Sequence, residues 1–320
     1  MKRFSIMSVL ANTLLKIGIY GTAHKIRFYI WEPIFQIKRQ LFGQETSIIS
    51  FCGVSIAFPL ENSYSKWWFG KNKDNFNAWH EPSITGFILH AKQHHKTMVD
   101  IGAHLGYFSA IHAISSGNTA HAIELSPSNF DILEKTLPYC VGVQGDVEIY
   151  KLGISNISTS ISVTTDHRPR PGINIQSISA PSDGSHQQAI ISIETFDQFC
   201  TTRNIEPDIL KIDVEGSEYD FFTGAKDTLN VNPPIIVMEV HPDKMMSISG
   251  KSVEELFELG RSHGYEIYQF SDHRDSKPST LNALKINSSW PENFDVVFIS
   301  KSDMSSIDEY NGWCESVRTL

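Results

Sequence analysis

The sequence predicts a doubly wound, Rossmann-like α/β domain whose parallel sheet carries an antiparallel edge, and three observations predict it. After His95 short apolar strands alternate with helices, the pattern of a parallel sheet. The run Val99-Asp100-Ile101-Gly102-Ala103-His104-Leu105-Gly106-Tyr107-Phe108-Ser109 reads as a strand entering a glycine-punctuated turn and then a helix. The next strand ends on an acidic residue, Glu124, 22 residues beyond Gly102.

Taken in order, residues 1–46 read as an N-terminal helical extension, with apolar positions three and four apart through Leu10, Leu14, Leu15 and Ile19, then Ile26, Tyr29, Ile30 and Phe35. Residues 47–96 form a cap leading into the core. In it, Ile48, Ile49, Phe51, Val54, Ile56 and Phe58 predict a hairpin turning at Gly53. An aromatic loop, Trp67-Trp68-Phe69-Gly70, precedes a helix from about Pro82 to Gln93. The core domain is placed at 97–300. Its parallel strands are expected at Thr97–Ile101, Thr119–Glu124, Val147–Leu152, Ile209–Asp213 and Ile235–Val240. Helices are expected at Tyr107–Ser115, Ser128–Leu137, Ser217–Leu229 and Val253–His263. Glu266–Phe270 and Asp295–Ile299 are expected to pair antiparallel at one edge. The Ser/Thr/Pro-rich stretch from Ser155 to Ser185 reads as an inserted hairpin or a loop over the sheet and contains His167-Arg168-Pro169-Arg170-Pro171. Residues 301–320 read as a C-terminal tail.

Composition narrows the function. The chain has 320 residues, enough for one large α/β domain with appendages, since single cores stop growing near roughly 250–300 residues. Hydrophobic residues at 41% and charged residues at 20% fit an ordinary globular domain rather than a disordered chain or one dissolved in membrane. A net charge of −9 opposes general nucleic-acid binding, which needs a positive surface. Cys52, Cys140, Cys200 and Cys314 are far apart with no C-x-x-C pair, which predicts neither a zinc knuckle nor a disulfide framework and fits a reduced, cytoplasmic compartment. The apolar stretch from Phe4 to Tyr20 is interrupted by Asn12, Thr13 and Lys16, too short and polar to span a bilayer, and reads as an amphipathic helix packing on the domain.

Glycines at a strand-to-helix turn let the backbone approach a ligand, and the helix N-terminus offers free N–H groups to an anionic portion of it. The spacing is G-x-x-x-G with Asp two residues ahead, unlike the G-x-G-x-x-G of pyrophosphate-binding dinucleotide enzymes. A carboxylate at the tip of the following strand, here Glu124, suits the two hydroxyls of a ribose.

Four blocks together resemble the FkbM-type S-adenosylmethionine-dependent methyltransferases: His80-Glu81-Pro82, Asp100-Ile101-Gly102-Ala103-His104-Leu105-Gly106, Glu124-Leu125-Ser126-Pro127, and Leu210-Lys211-Ile212-Asp213-Val214-Glu215-Gly216-Ser217-Glu218. Gly224-Ala225 and Val237-Met238-Glu239-Val240-His241 follow as in that family. The resemblance covers about Glu81 to Ser300. It implies a class I methyltransferase sheet, S-adenosyl-L-methionine as cofactor, and O-methylation of a sugar, glycan or secondary metabolite. Cofactor contacts are then expected from Glu81, Asp100, Gly102, Ala103, His104, Gly106, Glu124 and Leu125. Where the family often has a small residue followed by Ser-Asp after the third strand, this chain has Gly153-Ile154-Ser155-Asn156, and Ser155 is the adenine-side candidate.

Asp213, Glu239 and His241 are the catalytic candidates at the acceptor side, with His241 as first choice of general base because imidazole titrates near neutrality. Asp213, Glu215, Glu239 and His241 offer an alternative donor set for magnesium or manganese. The metal-free base is the preferred reading, and no residue is assigned as a metal ligand. Lys211 is expected to pair with a carboxylate or lie buried against a helix. Trp67, Trp68 and Phe69 and the His167–Arg170 segment are candidates for shaping an acceptor pocket by stacking and charge. Two competing readings are a nicotinamide-dependent oxidoreductase, opposed by His104 at the position of the turn's second glycine, and a non-catalytic interaction protein on the same scaffold, which would not need the acidic cluster.

Overall fold

The computed structural model describes residues 46–51, 54–69, 79–164, 188–272, 277–285 and 289–318. The expected N-terminal helical extension, the turn at Gly53 and the His167–Pro171 segment lie outside them.

The core is a ten-stranded sheet in the order β11-β10-β12-β9-β8-β3-β4-β5-β7-β6. Its strands are β3 (Thr97–Ile101), β4 (Thr119–Glu124), β5 (Asp146–Ser155), β6 (Thr159–Thr164), β7 (Gln188–Thr195), β8 (Ile209–Ile212), β9 (Ile235–Val240), β10 (Tyr265–Phe270), β11 (Leu281–Ala283) and β12 (Phe294–Ser300). The six central strands run parallel, and β12, β10 and β11 at one end and β6 at the other pair antiparallel. This is the expected Rossmann-like, doubly wound sheet, with antiparallel strands at both edges rather than one. From β3 the chain winds outward through β4 and β5, then returns to β8 and β9 on the other side, so the strand order reverses beside β3.

A separate hairpin, β1 (Thr46–Phe51) and β2 (Val54–Pro59), pairs in the register Phe51↔Val54. After it the sequence reading is corrected: the expected aromatic loop is a helix, α1 (Ser63–Phe69). Asn62 opens it by accepting the Tyr64 and Ser65 amides on its side-chain oxygen. Helix α2 (Pro82–Ala91) starts on Pro82, whose missing N–H costs nothing at the first turn. Next come α3 (Tyr107–His112) and α4 (Pro127–Thr136), the latter capped by the Ser126 hydroxyl.

The Ser155–Ser185 stretch does not lie over the sheet where it is described. β5 runs through Ser155, and β6 pairs with β7, a strand the pattern reading missed because only Ile191 and Ile193 point inward while Ile190 is 81% exposed. α5 (Phe196–Arg203) follows β7 directly, capped by Thr195. The helix expected over Ser217–Leu229 is two, α6 (Glu218–Thr223) and α7 (Lys226–Val231). It breaks at Gly224, where a Cβ would sit 2.2 Å from the Ser155 carbonyl oxygen, and the Asp197 carboxylate accepts the Asp227 and Thr228 amides at the restart. α8 (Pro242–Ser249) follows β9, and α9 (Val253–Ser262) carries a complete capping box between Ser252 and Glu255.

The segment read as a tail holds a fourteen-residue helix, α10 (Ser305–Arg318). It packs on α2, with Ile307, Tyr310 and Cys314 in the same apolar layer as Phe87, Met98 and Val237. The opposite layer gathers Phe196, Phe221, Phe222, Phe257 and Phe298 under α5, α6 and α9. Cys140, Cys200 and Cys314 are buried. Among the described residues no helix is long and apolar enough to cross a membrane.

The Tyr310 ring is fully buried, and its hydroxyl donates to the Ser83 and Ser279 carbonyls at 3.1 and 3.0 Å. Tyr310→Ala is therefore expected to cost about 3–5 kcal/mol in urea unfolding, and Tyr310→Phe about 1 kcal/mol. An unchanged midpoint for the alanine variant would show that α10 is peripheral to the fold.

Candidate functional site

Strand register alone gathers the ionisable groups. Asp100 on β3 pairs with Lys211 on β8, Lys211 with Val237 on β9, and Glu239 with Asp295 on β12. Opposed residues share a face, and so do residues two apart on one strand. Asp100, Lys211, Asp213, Glu239 and Asp295 therefore all stand on one face of the sheet, at the carboxyl ends of the parallel strands and beside the point where the strand order reverses. That is where open α/β sheets bind ligands.

The cleft there encloses about 1130 Å³ including its open mouth. Its floor is the turn after β3. Gly102 (φ +81°) turns so close to β8 that a Cβ would lie 1.9 Å from the Asp213 carbonyl oxygen, and Gly106 (φ +80°) opens α3 in the left-handed region. Between them His104 also has positive φ (+54°). The Gly102 and Ala103 amides donate to the Ile123 carbonyl at 2.9 Å, which ties the turn to β4. Of the four non-glycine residues with positive φ among the described residues, three, Glu81, His104 and Glu215, line the cleft. Strained backbone of this kind concentrates at functional sites.

Glu124 stands beside the turn, 5% exposed. It accepts from the His104 amide on one oxygen and the Ser126 amide on the other, each at 2.8 Å, which fixes the carboxylate and leaves lone pairs for a ligand. Burial pushes its carboxyl up to about 7. The His104 ring accepts or donates at 2.7 Å to the Tyr64 hydroxyl of α1 and meets Trp68 edge to face. Burial brings His104 down to about 4, so the ring is neutral. α1 thus roofs the turn, but only Trp68 of the aromatic trio lines the cleft: Phe69 stacks on Phe58 in the core, and Trp67 faces outward.

The other wall is acidic. Lys211 is buried, 3.8 Å from Asp213 and 5.2 Å above the Phe108 ring. Burial alone would neutralise it, but Asp213, Glu81 and Glu239 outweigh that and hold it charged. Burial, then Asp213 and Glu81, push Glu239 up to about 8, and Asn293 donates to it. Burial also raises Asp295 well above the ordinary carboxylate range, with Glu81 and Glu239 adding to the shift. His241 lies behind this wall. Its Nδ1 is 2.9 Å from the buried Glu218, and its Nε2 is 3.2 Å from Glu215 and 3.7 Å from Glu239. Burial opposes its charging, yet Glu218, with Glu215 and Asp213, raises it to about 9.

Among the residues assigned from sequence, Glu81, Gly102, Ala103, His104, Glu124, Leu125, Asp213 and Glu239 line the cleft. Four stand back from it. Asp100 fastens α3 from below, accepting from the Ser109 hydroxyl at 2.6 Å and amide at 3.1 Å. Gly106 packs on Leu133 and Leu137, Ser155 lies under Gly224, and His241 is enclosed by carboxylates. The sequence reading did not pick out Leu152, Gly153 and Ile154 at the end of β5, or Phe108 and Asn129. The apolar end of β5 was the available signal for the first three.

The FkbM methyltransferase domain matches residues 100–267, just over half of the chain. No curated protein matches it in sequence. Among solved structures, the chain is similar to methyltransferase FkbM from Methylobacillus flagellatus KT, with 15% identity over 64% of this chain and 43% of that one at a TM-score of 0.38. It is also similar to a TehB-like SAM-dependent methyltransferase from Corynebacterium glutamicum, with 12% identity over 74% and 96% at 0.37. The O-methyltransferase from Bacillus cereus in complex with SAH gives 14% over 69% and 83% at 0.37. The chain spans less than half the length of the Methylobacillus protein.

The site makes folding pH-dependent with a defined sign. His241 is raised from 6.5 to about 9, so the stability its charged form contributes is complete below pH 6.5 and lost as pH rises through about 9. Glu124 and Glu239 are raised from 4.5 to about 7 and about 8, so the stability that comes with their protonated forms is complete below pH 4.5 and lost as pH rises to about 7 and about 8. The melting temperature of the ligand-free protein is expected to fall between pH 4.5 and 9, and less steeply below about pH 7 in Glu124→Gln. A melting temperature that rises over this window would contradict the burial assigned to all three groups.

Proposed function

The chain belongs to the FkbM methyltransferase domain family, and from that premise we propose that it is an S-adenosylmethionine-dependent methyltransferase acting on a hydroxyl oxygen of a sugar, glycan or similarly polyhydroxylated small molecule. The observation that carries the reading is the meeting, in one cleft, of the Gly102–Gly106 turn, the buried Glu124 carboxylate and the acidic wall of Asp213 and Glu239. The residues present fit the cofactor. Glu124 keeps acceptor capacity for ribose hydroxyls, Gly102 leaves no side chain above the floor, and Leu125, Leu152, Gly153 and Ile154 offer an apolar slot for adenine.

When bound, S-adenosylmethionine supplies an electrophilic methyl group, so that a lone pair of the acceptor oxygen forms the new C–O bond while the C–S electrons leave with sulfur. The chain's own residues do the rest. Asp213 and Glu239 hold the acceptor hydroxyl at the wall and Asp213 receives its proton, since an unactivated hydroxyl keeps that proton at neutral pH. The Lys211 ammonium lies 3.8 Å from the Asp213 carboxylate and positions it at the wall. Trp68 shields the cleft and presents a ring face to a sugar. Fixing nucleophile and methyl in line contributes up to about 7–11 kcal/mol of barrier reduction. His241, charged and enclosed, is a poor free base at neutral pH, and its role is exerted through the carboxylates it touches.

The catalytic unit is assigned to residues 97–300 with the cap at 47–96, and α10 joins the same core. A net charge of −9 supports an acceptor other than nucleic acid, and four cysteines spaced far apart with no C-x-x-C pair support a reducing, cytoplasmic setting.

Glu124→Ala is expected to weaken calorimetric binding of S-adenosylhomocysteine by about 1.5–3 kcal/mol, the scale of hydrogen bonds to a charged group; equal affinity would remove Glu124 from the cofactor site. Asp213→Asn should lower turnover about 10²–10⁴-fold with cofactor affinity preserved. Mass spectrometry of products labelled in extracts of the source cells decides the acceptor, and a methyl group on nitrogen, carbon or a protein side chain would end the hydroxyl reading.

A further inference from the structure

We propose that Asp213, Glu239 and His241 form a binding site for one divalent cation, of the manganese type, in the acceptor wall of the cleft. One donor atom from each of the three lies within 4.8 Å of the other two, and octahedral bonds of about 2.1 Å place neighbouring donors about 3–4.2 Å apart. Two carboxylates with one imidazole suit manganese better than magnesium, which prefers all-oxygen ligation.

The orientation of His241 is the first independent sign. Its Nδ1 faces Glu218, a fully buried carboxylate that can only accept, so Nδ1 carries the ring proton. Nε2 is thereby turned toward Asp213, Glu215 and Glu239, with Glu215 Oε2 at 3.2 Å and Glu239 Oε1 at 3.7 Å. A carboxylate behind an imidazole that points its other nitrogen into a group of oxygens is the arrangement by which proteins orient metal-ligating histidines.

Unmet acceptors are the second sign. Asp295 is 2% exposed, stands directly opposite Glu239 on the same sheet face, and its Oδ1 has no hydrogen-bond partner. Asp213 Oδ1 is likewise buried and unpartnered. Around Glu81, Asp213, Glu239 and Asp295 the described residues set Lys211, 3.8 Å from Asp213, and His241, 3.7 Å from Glu239, while Lys244 is engaged by Glu215. Two carboxyl groups opposed across a strand pair repel once both ionise, and a divalent ion at the three donors offsets that repulsion. An ion in this position lies on the acceptor wall, where it would hold the acceptor oxygen; that role rests on the methyltransferase reading, whereas the binding of the ion does not.

The test is titration of the full-length, chelator-treated protein with manganese chloride, following the free-ion signal by electron paramagnetic resonance, with S-adenosylhomocysteine binding measured on the same samples. One ion per chain is expected. Asp213→Asn should weaken uptake at least about 10-fold, and Glu218→Gln, which leaves every ligand in place, about 10–100-fold, the range for partners behind a ligand. Glu218→Gln covers the case in which replacing His241 impairs folding. Homocysteine-analogue binding without manganese uptake would overturn the cation site while sparing the cofactor site, and would mean that a proton fills the gap among the donors. Uptake unchanged in both variants would place the ion elsewhere and equally overturn the proposal.

Discussion

At Gly102 the chain leaves β3 pressed against the carbonyl of Asp213, so close that a methyl group there would sit 1.9 Å from that oxygen. The contact joins the ends of the two strands that flank the reversal in strand order, and the Asp213 amide donating to Ile101 locks it from the other side. Because the backbones touch, the turn that receives the cofactor in our reading and the carboxylate that receives the acceptor are held at one fixed separation. Any side chain at residue 102 would push them apart and also force a left-handed backbone that only glycine adopts without strain. The rest of the site is built outward from this junction: β4 anchors the turn through the Ile123 carbonyl, and α1 roofs it through Tyr64 and Trp68.

Electrostatics follows from the same geometry. Parallel strands end together, so every acidic residue at a strand terminus is delivered to one edge of the sheet. Here four carboxylates share that edge with a single buried ammonium. Such a cleft is suited to a positively charged ligand, and a sulfonium or a divalent ion meets the requirement. Charged groups held out of water are costly unless paired, and the fold accepts that cost at a place where a bound ligand would supply the missing charge.

Enclosure comes from both ends of the described chain. The β1–β2 hairpin and α1 cover the turn, while α10 closes the apolar layer beneath α2, whose first residue follows Glu81. Glu81 owes its position in the cleft to this packing, since its left-handed backbone is held by the helix that begins after it.

Local physics made much of this legible in the sequence. Period-two apolar runs and glycine turns depend on neighbours a few residues away, so β3, β4 and β9 match their expected limits residue for residue. The Gly102 turn and the Glu124 strand end were readable for the same reason, because a strand-to-helix turn and a residue about 20 positions later report one compact supersecondary unit. What the sequence could not express was partnership across distance. α1 and α10 took tertiary packing to define, since short aromatic or mixed stretches carry no decisive period. The pairing of Asp295 with Glu239, and the Glu218 carboxylate that turns Nε2 of His241 toward Asp213, follow from strand order and helix placement. His241 therefore read as a general base with a free ring. Only the folded chain decided that it is buried, charged and aimed, because pKa and orientation are set by whatever the tertiary structure places within a few ångströms, and linear spacing does not encode that distance.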